Sequence, residues 1–348
     1  MNNLEQGLLS GFQRDFPLSP RPFAEVAKRL GTLEAVVIKL LRRLQQQGVV
    51  SRVGPVFRPH TLGVSTLAAL AVPEERLAEV ADQVSAYPEV NHNYEREHRL
   101  NLWFVVNAST EQALQAILAD IQQRTGFAVW SFPMLSHYRI DLGFSLSPAP
   151  QACPPNAAMP GGGRGDARRA PSCPGAASAS ERHQLNRLLI AAIQEGLPLV
   201  ARPYAAAGCP VGLSESEVIE GIAGLLSSQV IRRFGVVVRH RELGYRANAM
   251  VVWDVADEEV DRLGRRFAQY EFVTLCYRRA RALPVWPYNL YCMIHGRERA
   301  TVMQQVQDLR QRCHAQDVPQ TVLFSRRRFK QRGALYVPAA GKGQIAAA

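Results

Sequence analysis

Four polar side chains recur at every second position in His92-Asn-Tyr-Glu-Arg-Glu-His98, and this spacing is where chemistry is first sought. Residues two apart on a β-strand share a face, so a strand running through 92–98 would present His92, Tyr94, Arg96 and His98 together. Imidazoles titrate near neutrality and can both give and take protons. A phenol donates a hydrogen bond, and a guanidinium grips carboxylate or phosphate through two parallel N–H bonds. Such a face is either a polar cavity, with Trp103 and Trp286 as apolar walls, or a solvated edge on which Arg96 pairs with a neighbouring glutamate. A second segment has the same outline with different chemistry. Leu275-Cys-Tyr-Arg-Arg-Ala-Arg281, then Asn289-Leu-Tyr-Cys, aligns with His92–His98, then Asn101-Leu-Trp-Phe. Tyr277, Arg279 and Asn289 match Tyr94, Arg96 and Asn101, whereas Leu275 and Arg281 stand where the histidines are. One competent site is therefore expected, with a vestigial counterpart. Farther on, Arg326-Arg-Arg-Phe-Lys330, which includes Arg328, ends the second half as Ser136-His-Tyr-Arg139 ends the first. A basic cluster of this kind is a solvated or nucleic-acid-binding face, or it closes over a polyanion.

The elements that carry these residues are also doubled. Pro17, Arg21, Phe23, Gly31, Gly54, Arg58 and Gly63 recur 181 positions later, without a gap, as Pro198, Arg202, Tyr204, Gly212, Gly235, Arg239 and Gly244. Each half opens with apolar-periodic helices, over Leu4–Phe16, Pro22–Leu30 and Leu33–Gln47 in the first and from Glu181–Glu195 onward in the second. Ser214-Glu-Ser-Glu217 reads as a capping box. Valine-rich segments around Gly48–Phe57 and Val230–Val238 follow as strands, which gives a winged helix-turn-helix in each half. A βαββαβ pattern comes next, with strands over Val64–Val72, Glu89–Glu97, Asn101–Val106 and Ala128–Tyr138, the ferredoxin-like order. The second half repeats it with five extra residues around Pro284-Val-Trp-Pro287. The fold class is α+β, a tandem repeat of winged helix-turn-helix plus ferredoxin-like βαββαβ domain forming a pseudo-dimer. The expected divisions are 1–60 and 61–146, a Pro/Gly/Ala/Ser linker over 147–181, then 182–243 and 244–338, with a tail over 339–348. A strand edge left open in each half would let fused chains pair further as a homodimer.

Charge separates the halves. The net charge of the 348 residues is +11, but residues 1–146 carry 14 basic and 14 acidic side chains, against 23 and 14 in residues 183–348. The excess is mostly arginine, which implies an anionic partner met chiefly by the second half. A DNA reader needs basic recognition helices in successive grooves. The one over Thr32–Gln47 has Lys39, Arg42 and Arg43 against Glu34, but its counterpart over Leu213–Gln229 has Glu215, Glu217 and Glu220 and no basic residue. The motif therefore reads as scaffold, and nucleic acid is not an expected partner. The six cysteines show neither Cys-x-x-Cys nor Cys/His metal spacing, so no disulfide or metal site is expected. With no apolar run near the ~20 residues of a membrane span and no signal pattern, the expected location is the cytoplasm.

The winged helix followed by βαββαβ, with its Gly48-Val-Val-Ser-Arg-Val-Gly turn, resembles the Lrp/AsnC regulators. Two longer strings are more specific. They are His92-Asn-Tyr-x-Arg-x-His98-x-x-Asn-Leu-Trp-Phe104 and Cys276-Tyr-Arg-Arg-x-Arg-x-x-Pro-x-Trp-Pro-Tyr-Asn-Leu-x-x-Met-Ile-His-Gly296. Together they resemble the sirohaem decarboxylases, two-subunit Lrp-like enzymes of alternative haem and haem d biosynthesis, here fused in one chain. The resemblance implies loss of carbon dioxide from two acetate side chains of sirohaem, with no cofactor beyond the iron tetrapyrrole substrate itself and hand-off to other tetrapyrrole enzymes. It further implies His92 and His98 as proton donors, or one of them as an axial contact to iron, with Tyr94 as secondary acid. Arg96, Arg279 and Arg281 would hold carboxylates that stay on, helped by Arg139, Arg328, Lys330, Asn101 and Asn289, and Trp103, Trp286 and Tyr277 would line the macrocycle. A regulator of Lrp/AsnC type sensing a tetrapyrrole or amino acid is the alternative from another class.

Overall fold

The computed structural model describes residues 3–58, 61–140, 179–239 and 247–336. Most of the expected linker, residues 240–246 and the expected tail lie outside them. In the first half α1 (Asn3–Gly11), α2 (Pro22–Arg29) and α3 (Glu34–Gln46) precede the wing strand β1 (Val50–Phe57). Their counterparts are α6 (Ala179–Ile193), α7 (Pro203–Gly208), α8 (Glu215–Ser227) and β6 (Ile231–Val238). The residues that the halves share are mostly structural. Arg21 pairs with Glu34 and Arg202 with Glu215, fastening the second helix of each half to the third. The capping box is present, with Ser214 and Glu217 bonded reciprocally.

The two wings pair antiparallel, with Gly54 opposite Gly235. Each glycine lies against backbone of the other half. A Cβ on Gly54 would stand 2.9 Å from Cα of Gly196, and one on Gly235 would stand 2.4 Å from the carbonyl oxygen of Phe12. Around them one apolar core runs through both winged helices, including Phe12, Phe23, Leu41, Ile193, Tyr204 and Phe234. The glycines recur because close backbone approach requires them at both places.

The first βαββαβ unit is β2 (Val64–Leu70), α4 (Leu77–Ala86), β3 (Val90–Arg96), β4 (Leu102–Ala108), α5 (Glu111–Thr125) and β5 (Trp130–Ile140). The second is β7 (Ala247–Trp253), α9 (Val260–Phe267), β8 (Val273–Arg279), β9 (Leu290–Gly296), α10 (Arg299–Arg312) and β10 (Gln320–Gln331). Their strands close into one barrel in the order β10-β3-β4-β2-β5-β8-β9-β7. Each half keeps the ferredoxin-like order, and its outer strands pair with the other half, β3 with β10 and β5 with β8. The edges expected to stay open for another chain are therefore used within the molecule. Helices cover the outside over two separate cores. A third core fills the barrel, built from Ala69, Trp103, Phe132, Met250, Val252, Trp286, Tyr291 and Leu323. Among the described residues no helix is long and apolar enough to cross a membrane.

Candidate functional site

Strand β3 ends at Arg96, and the chain then turns, with the His98 amide donating to the Arg96 carbonyl at 2.9 Å. The shared face expected over 92–98 therefore stops short of His98. The alternation is real before that point. Asn93 turns to α4, where its amide donates to Ala81 O at 3.0 Å and Ser85 Oγ at 3.1 Å. His92, Tyr94 and Arg96 lie on the opposite, barrel-facing side, consistent with Arg96 donating to Leu323 O at 3.1 Å. The glutamates between them take other partners: Glu95 bonds Arg327, and Glu97 accepts from Arg299 at 2.6 and 2.8 Å. The alternative in which Arg96 pairs with a neighbouring glutamate is not what forms.

The two histidines occupy different surroundings. His98 accepts the Leu100 amide on Nδ1 at 3.0 Å, which leaves the proton of the neutral ring on Nε2, and its ring meets Trp286 edge-on at 5.2 Å. Burial, then the charge of Arg99, lowers its pKa. His92 lies where β3 begins, opposite Gln331, with Nδ1 3.5 Å from Tyr94 Oη. Burial, then the positive charge of Arg52 on wing β1, hold it down to about 4. His92 thus belongs to the end of the barrel near the wings and His98 to the tryptophan cluster.

Arg96 and Arg279 are pseudo-equivalent and keep the same company. Arg279 donates to Phe132 O at 2.7 Å as Arg96 does to Leu323 O. Each guanidinium lies over the tyrosine two positions before it, 5.8 Å from Tyr94 and 5.2 Å from Tyr277. Burial lowers both, Arg96 to about 10, and the Nε of each is buried without a protein partner. Among the described residues neither guanidinium forms an ion pair with a carboxylate. Tyr277 is pushed up by burial.

Other candidates prove to hold the scaffold. Arg281 is paired with Asp254 at 3.0 Å and Asp257 at 2.6 Å and bonds the carbonyls of Pro287 and Val255. Asn101 clasps Val72 through its amide and carbonyl at 3.0 and 2.7 Å, and Asn289 does the same to Val255 at 3.1 and 2.9 Å. This explains why the halves share Asn-Leu. Arg139 donates to Ala268 O and Tyr270 O, both at 3.0 Å, beside the end of α9. Lys330 donates to Ser85 O and Tyr87 O at 2.6 and 2.7 Å around the end of α4. Both place a cation on helix C-terminal carbonyls. Burial, then Arg332, lower Lys330 to about 8. Arg328 stands opposite Tyr94 and donates to Gln331 at 3.1 Å.

The tryptophans are packed rather than lining open space. Trp286 comes in on a tight hairpin closed by paired amide bonds between Ala282 and Trp286 of 2.8 and 2.9 Å. It is fully buried, 5.0 Å from the Trp103 ring and 5.5 Å from that of Phe132. Trp286 Nε1 donates to Tyr291 Oη at 2.6 Å, and Trp103 Nε1 bonds Leu100 O at 2.6 Å.

Arg52 is what the sequence reading missed. It sits at the 181-residue register with Arg233, so residue type alone does not set it apart from its counterpart. The two differ in setting: Arg233 donates to Gln13 O at 2.7 Å, while Arg52 bonds Pro55 O at 2.8 Å and its charge acts on His92. On α3, Arg43 pairs with Glu5 and Arg42 donates to Leu199 O at 2.7 Å, so two of its three basic side chains turn to the protein. Among the described residues no group of His, Cys, Asp and Glu could hold a metal ion.

Fold and site together define a tandem pair of AsnC-type units whose shared barrel buries two arginines beside an apolar core. Residues 61–139 and 242–330 match the profile described as "AsnC-like ligand binding domain", and 5–50 and 186–232 match "Siroheme decarboxylase NirDL-like HTH domain". The chain is similar to the siroheme decarboxylase NirDL subunit of Paracoccus denitrificans (strain Pd 1222), 43% identical over 334 residues, covering 96% of this chain and 97% of that one. The NirD subunit of Pseudomonas aeruginosa is 50% identical over 146 residues, 42% of this chain and 97% of that one. A crystal structure of the siroheme decarboxylase NirDL with an iron-uroporphyrin III analogue is similar at a TM-score of 0.65 and 25% identity, over 97% of this chain and 96% of that one. The chain belongs to the sirohaem decarboxylase family, in its fused form.

Proposed function

We propose that this chain is a sirohaem decarboxylase, a carbon–carbon lyase that converts two acetate side chains of sirohaem to methyl groups. The observation that carries the reading is similarity along 96% of the chain to a siroheme decarboxylase NirDL subunit, with both halves represented. In each event the bond between the acetate methylene and its carboxylate breaks, and carbon dioxide leaves. The electron pair passes into the macrocycle, and a proton completes the methyl group. No oxidant is consumed, and the iron tetrapyrrole is substrate rather than resident cofactor.

We assign the proton to His92. It lies at the end of the barrel nearer wing β1, with Tyr94 Oη 3.5 Å away to relay or hold the proton. An imidazole there reaches a bound macrocycle more readily than His98, whose Nδ1 is engaged and whose ring is against Trp286. Arg96 and Arg279 serve as carboxylate anchors, since each has a buried Nε with no protein partner and a buried cation gains most from an anion. They hold side chains that stay on. An arginine on the departing carboxylate would stabilise the ground state more than the transition state, which slows the reaction.

The test is anaerobic incubation with sirohaem followed by mass measurement of the product. Two successive losses of the mass of carbon dioxide are expected, and an unchanged mass overturns the reading. His92→Asn should lower turnover by roughly a hundredfold or more, with substrate binding kept; His98→Gln should lower it less and reduce thermal stability.

A further inference from the structure

Arg52 brings a cation from the first wing toward His92, and among the described residues it forms no ion pair. Burial lowers the guanidinium, with Tyr336 opposing, and burial followed by the charge of Arg52 lowers His92. Arg52 bonds Pro55 O at 2.8 Å through one nitrogen, and its Nε is buried without a partner. The chain beyond β10 passes over this point. The Arg332 amide donates to Asn91 O at 2.9 Å, that of Tyr336 to Gln194 at 2.9 Å, and the Tyr336 ring meets Phe57 at 5.3 Å. Between them Gly333 lies flat on the guanidinium, for a Cβ there would stand 2.8 Å from Arg52 Nη1. The other groups near His92 are Tyr94 on its own strand and Arg328 and Lys330 from β10. Lys330 is committed to carbonyls at the end of α4, and Glu89 acts on Lys330.

We propose that Arg52 is a substrate-binding residue: it receives a carboxylate that stays on the macrocycle and so sets an acetate of the substrate beside His92. The proposal rests on the decarboxylase reading and on His92 as donor. A buried cation with no carboxylate near it is costly unless an anion arrives, and the substrate is rich in carboxylates. The asymmetry of the halves agrees. Arg233, the counterpart, is tied to Gln13 O at 2.7 Å, and Leu275 replaces the histidine there. There is a consequence for His92. A carboxylate on Arg52 offsets the charge that adds to burial in disfavouring the imidazolium, so His92 takes up a proton more readily with substrate in place than without it. The retained winged helix is then part of the active site.

Binding of metal-free uroporphyrin III, an octacarboxylate, is measured by fluorescence in the full chain, and turnover is measured with sirohaem. Arg52→Gln should weaken uroporphyrin binding roughly tenfold to a hundredfold and raise KM more than it lowers kcat, with Arg52→Lys intermediate. In the ligand-free protein the His92 titration, followed by NMR, should move upward in Arg52→Gln but stay below an exposed histidine, because burial is the larger cause. Gly333→Ala displaces the guanidinium without removing its charge and should weaken binding as well, so the proposal remains testable if Arg52→Gln folds poorly. Wild-type binding by Arg52→Gln, or by Gly333→Ala if the glutamine variant does not fold, overturns it. Normal turnover by His92→Asn would instead overturn the choice of donor, whatever Arg52 does.

Discussion

At His92 the same burial that shapes the site also links it to stability. Its folded pKa is about 4, against about 6.5 for an unfolded histidine. Above pH ~6.5 both states are neutral and the site costs nothing. As pH falls from there toward 4 the unfolded chain takes up a proton that the folded one refuses, so stability is lost across that window, by no more than about 3 kcal/mol. Melting temperatures of wild type and His92→Asn should therefore diverge between pH 7 and 4, the wild type losing more. Parallel curves would show that the imidazole is not held neutral. The site residues were legible as types but not as partners. Arg279 and Arg281 are alike in sequence, yet one is buried without a carboxylate and the other is locked to Asp254 and Asp257, 27 and 24 positions away. Only the fold decides which cation remains for a ligand.

Among the elements, the hairpin that carries Trp286 departs most from its expected role. Its five extra residues interrupt the repeat, and the resemblance implies that its tryptophan lines the macrocycle. The structure seats it in the barrel core among Trp103, Phe132, Tyr288 and Tyr291. Trp286→Ala should destabilise the chain by about 3–5 kcal/mol, visible as a shifted denaturant midpoint, with Trp286→Phe milder. A change under about 1 kcal/mol would mean that the hairpin is easily displaced. Strand alternation and helix periodicity were readable because each follows from local geometry. The end of β3 was not, since the turn at Glu97–Leu100 is fixed by hydrogen bonds such as Arg96 N–H to Asn101 O, 2.8 Å, which a period of two cannot foretell. The shared Asn-Leu was likewise visible as a repeat, but its meaning lies in Val72 and Val255, 29 and 34 residues from the asparagines.

For the whole molecule, the closed barrel makes each half incomplete alone. Residues 1–146 would expose the edges of β3 and β5 that β10 and β8 cover, and would leave wing β1 without β6. They would also lose half of the apolar core that runs through both winged helices. Unpaired edges recruit strands from other chains, so each half by itself should aggregate or form like pairs. Like pairs are poor substitutes, because the cationic excess lies in the second half and His92 and Arg52 in the first. Residues 1–146 and 182–348 produced as separate chains should therefore combine one to one when mixed. The mixture should recover sirohaem turnover that neither chain has alone, with native mass spectrometry giving the stoichiometry and product mass the activity. Full turnover by residues 1–146 alone would show that Arg279 and the second half are dispensable, and the division of labour between the halves would have to be abandoned. Activity confined to the mixed complex would place the working unit in the barrel that both halves close.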